Sequence, residues 1–234
     1  MAKTTLVLLP GMDGTGTLFK PLIDTLGGRF RLVTVSYPAD MPHGYAELEA
    51  LAGATLPAEG PLILLGESFS GPIAIALAAA RPSQIRGLIL SCTFARNPRP
   101  LFSAFKWLVN FLPARPPMAI AGHFLFGRFA TPELRGLLRQ ALEPVQPAVL
   151  RARLRAVPSI DATAALTRLR VPVLCLRASA DRLVPASAAL EIARLCPQAR
   201  ILTLPGPHCL LQAAPREAAH AIAEFIGAIG ATDG

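Results

Sequence analysis

Pro61-Leu62-Ile63-Leu64-Leu65-Gly66-Glu67-Ser68-Phe69-Ser70-Gly71-Pro72-Ile73-Ala74-Ile75-Ala76-Leu77-Ala78-Ala79-Ala80 is the stretch that decides the fold. An uninterrupted apolar run of strand length meets a short Gly/Ser turn and then a helix-forming run. Such a run reads as a strand buried on both faces, as in a parallel sheet. The turn puts Ser68 at its apex, with its hydroxyl above the sheet edge and the amides of the next helix directed at the same place. A serine so placed reads as a nucleophile, although serines in glycine-rich turns are also common structural residues. The spacing departs from Gly-x-Ser-x-Gly, because Ser70 stands where the second glycine belongs and Gly71 follows one place later. A small residue is what that position needs, so the variant reads as tolerated.

A serine nucleophile needs a base, a carboxylate to orient the base, and donors for an oxyanion. His208 lies in Gly206-Pro207-His208, a loop that directly follows the apolar run ending at Leu204. His220 reads as a helix-surface residue, His43 as a loop residue, and His123 belongs to the irregular middle of the chain. Asp181, in Ala180-Asp181-Arg182-Leu183-Val184-Pro185, follows the preceding apolar run and gives the order Ser, Asp, His. A turn or helix-cap role is the alternative for Asp181, and Asp161 reads as a helix N-cap. The oxyanion donors expected are the amides of Phe69 and Met12. Met12 lies in the loop Leu9-Pro10-Gly11-Met12-Asp13-Gly14-Thr15-Gly16, whose glycines allow close backbone approach. Its spacing does not fit Gly-x-Gly-x-x-Gly, so dinucleotide binding is discounted, and Asp13 can be read as closing an Asp-Gly turn.

Around these positions strands are predicted at Thr4–Leu9, Arg31–Val35, Leu62–Leu65, Gly87–Ser91, Val171–Arg177 and Arg200–Leu204. Helices are predicted at Thr17–Leu26, Tyr45–Thr55, Phe69–Ala80, Pro185–Leu195 and Pro215–Ile229. The alternation implies an α/β fold with a mostly parallel sheet of about six strands. Between residues 93 and 160 the rhythm stops, and proline-separated helical stretches replace strands. A structureless loop of that length is improbable in a compact domain, so residues 93–160 read as a helical lid inserted into a core of residues 1–92 and 161–234. The lid holds Phe102, Phe105, Trp107, Phe111, Phe124, Phe126 and Phe129. They are either core between lid and sheet or the lining of an apolar substrate pocket. As pocket lining, Phe102, Trp107, Phe111, Phe124 and Phe126 are the candidates.

The 234 residues bear a net charge of +8, and 52% are hydrophobic. The length suits one domain with a large core. No apolar run of about 18 residues escapes a charge or proline, so no transmembrane helix is expected. The short run Thr4–Leu9 reads as a first strand rather than a signal peptide, which makes a cytoplasmic location the expectation. The four cysteines lack metal-ligand spacing and read as buried free thiols; no metal or cofactor is expected. Residues 96–155 hold ten basic and two acidic side chains, including Arg128, Arg135, Arg139, Arg151, Arg153 and Arg155. Such a segment is either a solvated basic face or a patch for an acidic partner or anionic membrane surface. No nucleic-acid motif accompanies it.

Together, Leu9-Pro10-Gly11-Met12, the Ser68 turn, the Asp181 loop and Gly206-Pro207-His208 resemble the α/β-hydrolase superfamily over nearly the whole chain. The resemblance implies Ser68 as nucleophile, Asp181 as acid and His208 as base. Two departures stand out: Thr4–Leu9 is expected to correspond to the family's third strand, with no antiparallel leading strands predicted ahead of it, and Pro10 stands where a histidine usually precedes the oxyanion-loop glycine. The chain also resembles the pimeloyl methyl-ester esterases, whose substrate rides on acyl carrier protein. The motifs around Met12 and Ser68 resemble esterase, lipase and thioesterase relatives as well, including acyltransferases to phytol and diacylglycerol. The function expected is a serine hydrolase of small-molecule carboxylic esters or thioesters, working through an acyl-enzyme. The alternatives are acyl transfer to an alcohol and a non-catalytic binding protein on the same scaffold. An acyl carrier protein or anionic membrane is the partner that the basic lid would suit.

Overall fold

The computed structural model describes residues 4–100 and 117–232. Six strands run parallel: β1 (Thr5–Leu9), β2 (Arg31–Thr34), β3 (Leu62–Glu67), β4 (Ile85–Ser91), β5 (Val173–Ala178) and β6 (Ala199–Leu204). Their order in the sheet is β2-β1-β3-β4-β5-β6. Helices connect them: α1 (Lys20–Leu26), α2 (Tyr45–Thr55), α3 (Gly71–Ala80), α4 (Met118–Leu125), α5 (Pro132–Leu142), α6 (Pro147–Ala156), α7 (Thr163–Leu166), α8 (Ala186–Leu195), α9 (Leu210–Ala213) and α10 (Pro215–Thr232).

The pleat sorts the strand residues between two cores. Val7, Leu9, Leu62, Leu64, Val173 and Cys175 face one core with residues of α2, α3, α7 and α8. Leu6, Leu8, Ile63, Leu65, Leu174 and Leu176 face the other with residues of α1, α9 and α10. Because both faces are covered, central strands read as unbroken apolar runs, whereas half-exposed edge strands such as β2 and β6 do not.

The strand order reverses at β1 and β3, since the chain runs from β1 outward to β2 and then returns past β1 to β3. Loops leaving the carboxyl ends of strands diverge at such a point and leave a crevice. Here the loop after β1 carries Met12 and the turn after β3 carries Ser68.

The described part of the interval between β4 and β5 is helical, and one isolated antiparallel bridge joins Arg96 and Asp161. Val145, Val149 and Leu150 from this interval pack with Met12 and Ala39. Phe94 and Ala95, just beyond β4, are buried at the sheet. Asp161 accepts from the Thr163 amide at 2.9 Å, one place before the α7 cap residue Ala162, so it holds a local turn rather than the cap itself. All four cysteines are free and buried. Among the described residues, no helix is long and apolar enough to cross a membrane.

Candidate active site

β3 delivers the chain to Ser68, whose φ is 48°. A β-carbon in that left-handed region is costly, so a non-glycine residue persists there only where its surroundings hold it. One restraint is the Thr93 hydroxyl, which donates to the Ser68 carbonyl. Thr93 also explains the displaced glycine, because a Cβ on Gly71 would stand 1.9 Å from Thr93 Oγ1. Ser70 is fully buried, and its hydroxyl donates to the Pro10 carbonyl. The Tyr37 hydroxyl, 2.8 Å away, therefore donates to Ser70. Burial pushes the Tyr37 hydroxyl far above its ordinary pKa, so it stays a donor. The serine in the glycine's place is thus a tie between the β3 turn and the β1 loop.

Three strand ends converge. Ser68 Oγ lies 2.8 Å from His208 Nε2. His208 Nδ1 lies 2.9 Å from Asp181 Oδ2 and 3.0 Å from Oδ1. A carboxylate only accepts, so Nδ1 carries the hydrogen and Nε2 is left to accept from the serine. Asp181 Oδ1 also accepts from the amides of Leu183 (2.8 Å) and Val184 (2.9 Å), which aim the carboxylate. The turn role foreseen for Asp181 and its meeting with His208 therefore coexist. Both side chains are 5% exposed, so solvent screens their interaction weakly.

The Phe69 side chain is buried and stacks on Tyr45 with ring centroids 4.4 Å apart. Met12 sits in the β1 loop, where the Gly14 amide donates to the Gly11 carbonyl at 3.1 Å. Of the aromatics named from the sequence, Phe126 is fully buried with Leu18, Leu138, Ala141 and Cys209, beside the loop that carries His208. Phe124 is exposed and meets His123 edge-on at 5.5 Å. Phe102, Trp107 and Phe111 lie outside the described residues. His220 is on the surface of α10, 3.5 Å from Glu224. Among the described residues, no group of three or more His, Cys, Asp or Glu side chains could hold a metal ion.

Glu67, adjacent to the serine, carries no signal in the sequence that marks it as a site residue. It is buried, and its Oε1 accepts from Gln212 Nε2 at 2.9 Å. Burial is the main cause that raises its carboxyl to about 7, with nearby Asp13 adding to the shift and Gln212 and His208 opposing it. The folded protein then holds a proton that the unfolded chain releases near pH 4.5. Stability must fall as pH rises between these values, by about 3 kcal/mol if the whole shift is realised. Urea unfolding of wild type and Glu67→Gln from pH 4.5 to 8 checks this. The wild-type free energy is expected to drop by that much relative to the variant, and parallel curves would refute a buried protonated Glu67.

A parallel doubly wound sheet with serine, histidine and carboxylate at its strand ends defines the class of the protein as an alpha/beta hydrolase. Residues 6–221 match the profile of the alpha/beta hydrolase family, and the chain belongs to that family. It is 30% identical to the pimeloyl-[acyl-carrier protein] methyl ester esterase of Stenotrophomonas maltophilia, over 98% of this chain and 95% of the relative. It is 28% identical to polyketide synthase ThaQ of Burkholderia thailandensis over 86% of this chain, and the match spans 10% of that synthase. In fold it is similar to a lipase-esterase related protein from Clostridium acetobutylicum, with a TM-score of 0.81, 17% identity, and 96% and 95% of the two chains covered.

Proposed function

We propose that the protein is a serine hydrolase that cleaves carboxylic esters through an acyl-enzyme. The observation that carries this reading is the relay from Ser68 Oγ to His208 Nε2 at 2.8 Å and from His208 Nδ1 to Asp181 at 2.9 Å, with Ser68 held at φ 48°. In the first step His208 Nε2 takes the serine proton as Oγ bonds to the ester carbonyl carbon. The amide N–H groups of Met12 and Phe69 receive the charge that gathers on the carbonyl oxygen. The tetrahedral adduct collapses, the C–O bond to the alcohol breaks, and Nε2 returns its proton to the leaving oxygen. Water then enters, gives a proton to Nε2, attacks the acyl carbon, and regenerates Ser68 as the acid departs.

The helices between β4 and β5 act in this reading as a lid that selects the acyl group. Arg128, Arg135 and Arg139 are exposed on its described part, which suits an acidic carrier of the acyl chain. The Stenotrophomonas relative, an esterase of an acyl-carrier-protein ester, supports the same substrate class.

The test is hydrolysis of p-nitrophenyl esters of graded chain length, together with labelling by a fluorophosphonate. Turnover and an adduct on the peptide containing Ser68 are expected; their absence would sink the assignment. For the carrier, turnover of an acyl-carrier-protein methyl ester is expected to weaken with added salt while turnover of the small ester does not. Equal salt dependence would remove the carrier from the proposal.

A further inference from the structure

Five consecutive carbonyls in the loop after β1 each have a donor. Pro10 O accepts from the Ser70 hydroxyl. Gly11 O accepts from the Gly14 amide at 3.1 Å. Met12 O and Asp13 O both accept from Arg153 Nη1, at 2.9 and 2.8 Å. Gly14 O accepts from the Tyr37 amide at 2.7 Å. The second guanidinium nitrogen, Nη2, donates to Pro38 O at 2.9 Å, so Arg153 also joins this loop to the segment after β2.

Arg153 lies on α6, and none of its surface is exposed. Burying a guanidinium is costly unless its donors are well used. Here the two terminal nitrogens donate to three backbone carbonyls, Nε has no partner among the described residues, and Asp13 Oδ1 accepts from the amide of Thr15 at 2.9 Å and its hydroxyl at 2.6 Å. The loop is shaped to admit the guanidinium. Gly14 has φ +75°, and a Cβ there would stand 2.4 Å from Arg153 Nη1. Tyr37 closes the arrangement, with its ring 5.6 Å from the guanidinium carbon and its hydroxyl 2.8 Å from Ser70 Oγ.

A peptide group is planar, so holding one residue's carbonyl fixes the direction of the next residue's N–H. The Gly11 carbonyl and the Met12 N–H share one plane, and the Met12 carbonyl lies in the next. Pinning both planes sets the backbone dihedrals of Met12. A loop on a protein surface is ordinarily mobile, and an oxyanion donor is effective only when its direction is set before the charge develops.

We infer that Ser70 and Arg153 are positioning residues for the oxyanion donor. On either side of the Gly11 carbonyl, which the Gly14 amide holds, they fix the Pro10, Met12 and Asp13 peptide planes so that the Met12 N–H faces Ser68 before substrate arrives. The inference rests on the proposed role of the Met12 amide. It also ties the inserted helices to the chemistry, because α6 supplies the guanidinium.

The experiment compares wild type with Ser70→Ala, Arg153→Lys and Arg153→Met, each confirmed folded by circular dichroism. For each, kcat and KM are measured on a p-nitrophenyl ester. Inhibition is measured with a trifluoromethyl ketone, which forms a tetrahedral adduct on serine, and with the matching methyl ketone, which does not. Arg153→Met is expected to lose about 10- to 100-fold in kcat and in trifluoromethyl-ketone affinity, while KM and methyl-ketone affinity stay within about threefold. Arg153→Lys is expected to fall between, since one ammonium cannot span three carbonyls, and Ser70→Ala to lose about tenfold. If Arg153→Met does not fold, the other two variants decide. Folded variants with wild-type kcat and adduct affinity, or with equal losses for both ketones, would overturn the inference. A wild type that shows no Ser68-dependent hydrolysis would instead overturn the proposed function.

Discussion

Ser68→Ala is expected to lower kcat for p-nitrophenyl ester hydrolysis by about 10⁵- to 10⁶-fold, with the protein still folded. The size follows from the geometry. Ser68 Oγ is the group 2.8 Å from His208 Nε2, and in the proposed route it is the atom that bonds to the acyl carbon. What remains is the acceleration that donors to the oxyanion and binding alone supply to direct attack by water. Purified variant and wild type compared at saturating ester give the ratio, and a loss of less than tenfold would remove Ser68 from the chemistry. The same position can be read through stability. At φ 48° alanine keeps the backbone strain of serine, whereas glycine adopts that conformation freely. Ser68→Gly is therefore expected to be as inactive as Ser68→Ala but more stable to urea, by up to about 1 kcal/mol.

Asp181→Asn is expected to cost about 10⁴-fold in kcat while leaving the fold intact. Asp181 Oδ1 accepts two backbone amides, from Leu183 and Val184. An asparagine keeps those bonds only by placing its carbonyl oxygen at that position, which directs its NH₂ at His208 Nδ1. Two donors then face each other, and the imidazole escapes by moving its hydrogen to Nε2. In that tautomer Nε2 can no longer accept the Ser68 proton. Asp181→Ala also removes the acceptor for the two amides, so it is expected to lose stability as well as activity. Steady-state kinetics and urea unfolding on both variants separate the effects. An Asp181→Asn enzyme within tenfold of wild type would place the orienting carboxylate elsewhere.

The strands were legible to within about two residues. Thr4–Leu9 was expected where β1 spans Thr5–Leu9, and Val171–Arg177 where β5 spans Val173–Ala178. Central parallel strands buried on both faces must be apolar throughout, and that run stands out against amphipathic helices. The one-turn helix α9, Leu210–Ala213, escaped notice because four residues carry no periodicity. The meeting of Ser68, Asp181 and His208 was legible because each lies in the loop or turn that leaves the carboxyl end of a strand, and parallel strands deliver those ends to one edge.

The glycine shift and the arginines were not legible in this way. In the sequence Ser70 reads as a tolerated small residue, and Arg153 belongs to a basic segment that reads either as a solvated face or as a patch for an acidic partner or anionic membrane. The structure makes Ser70 a buried donor to Pro10 and removes Arg153 from any surface patch, since it is wholly buried against the β1 loop. Gly71 is required by Thr93, far along the chain. The sequence by itself determined, to within about two residues, where the central strands end, because burial on both faces makes those strands apolar almost throughout. Only the tertiary structure decided which side chains hold the loops between them. A hydrogen bond from Arg153 to a carbonyl 141 positions away leaves no pattern in either local segment.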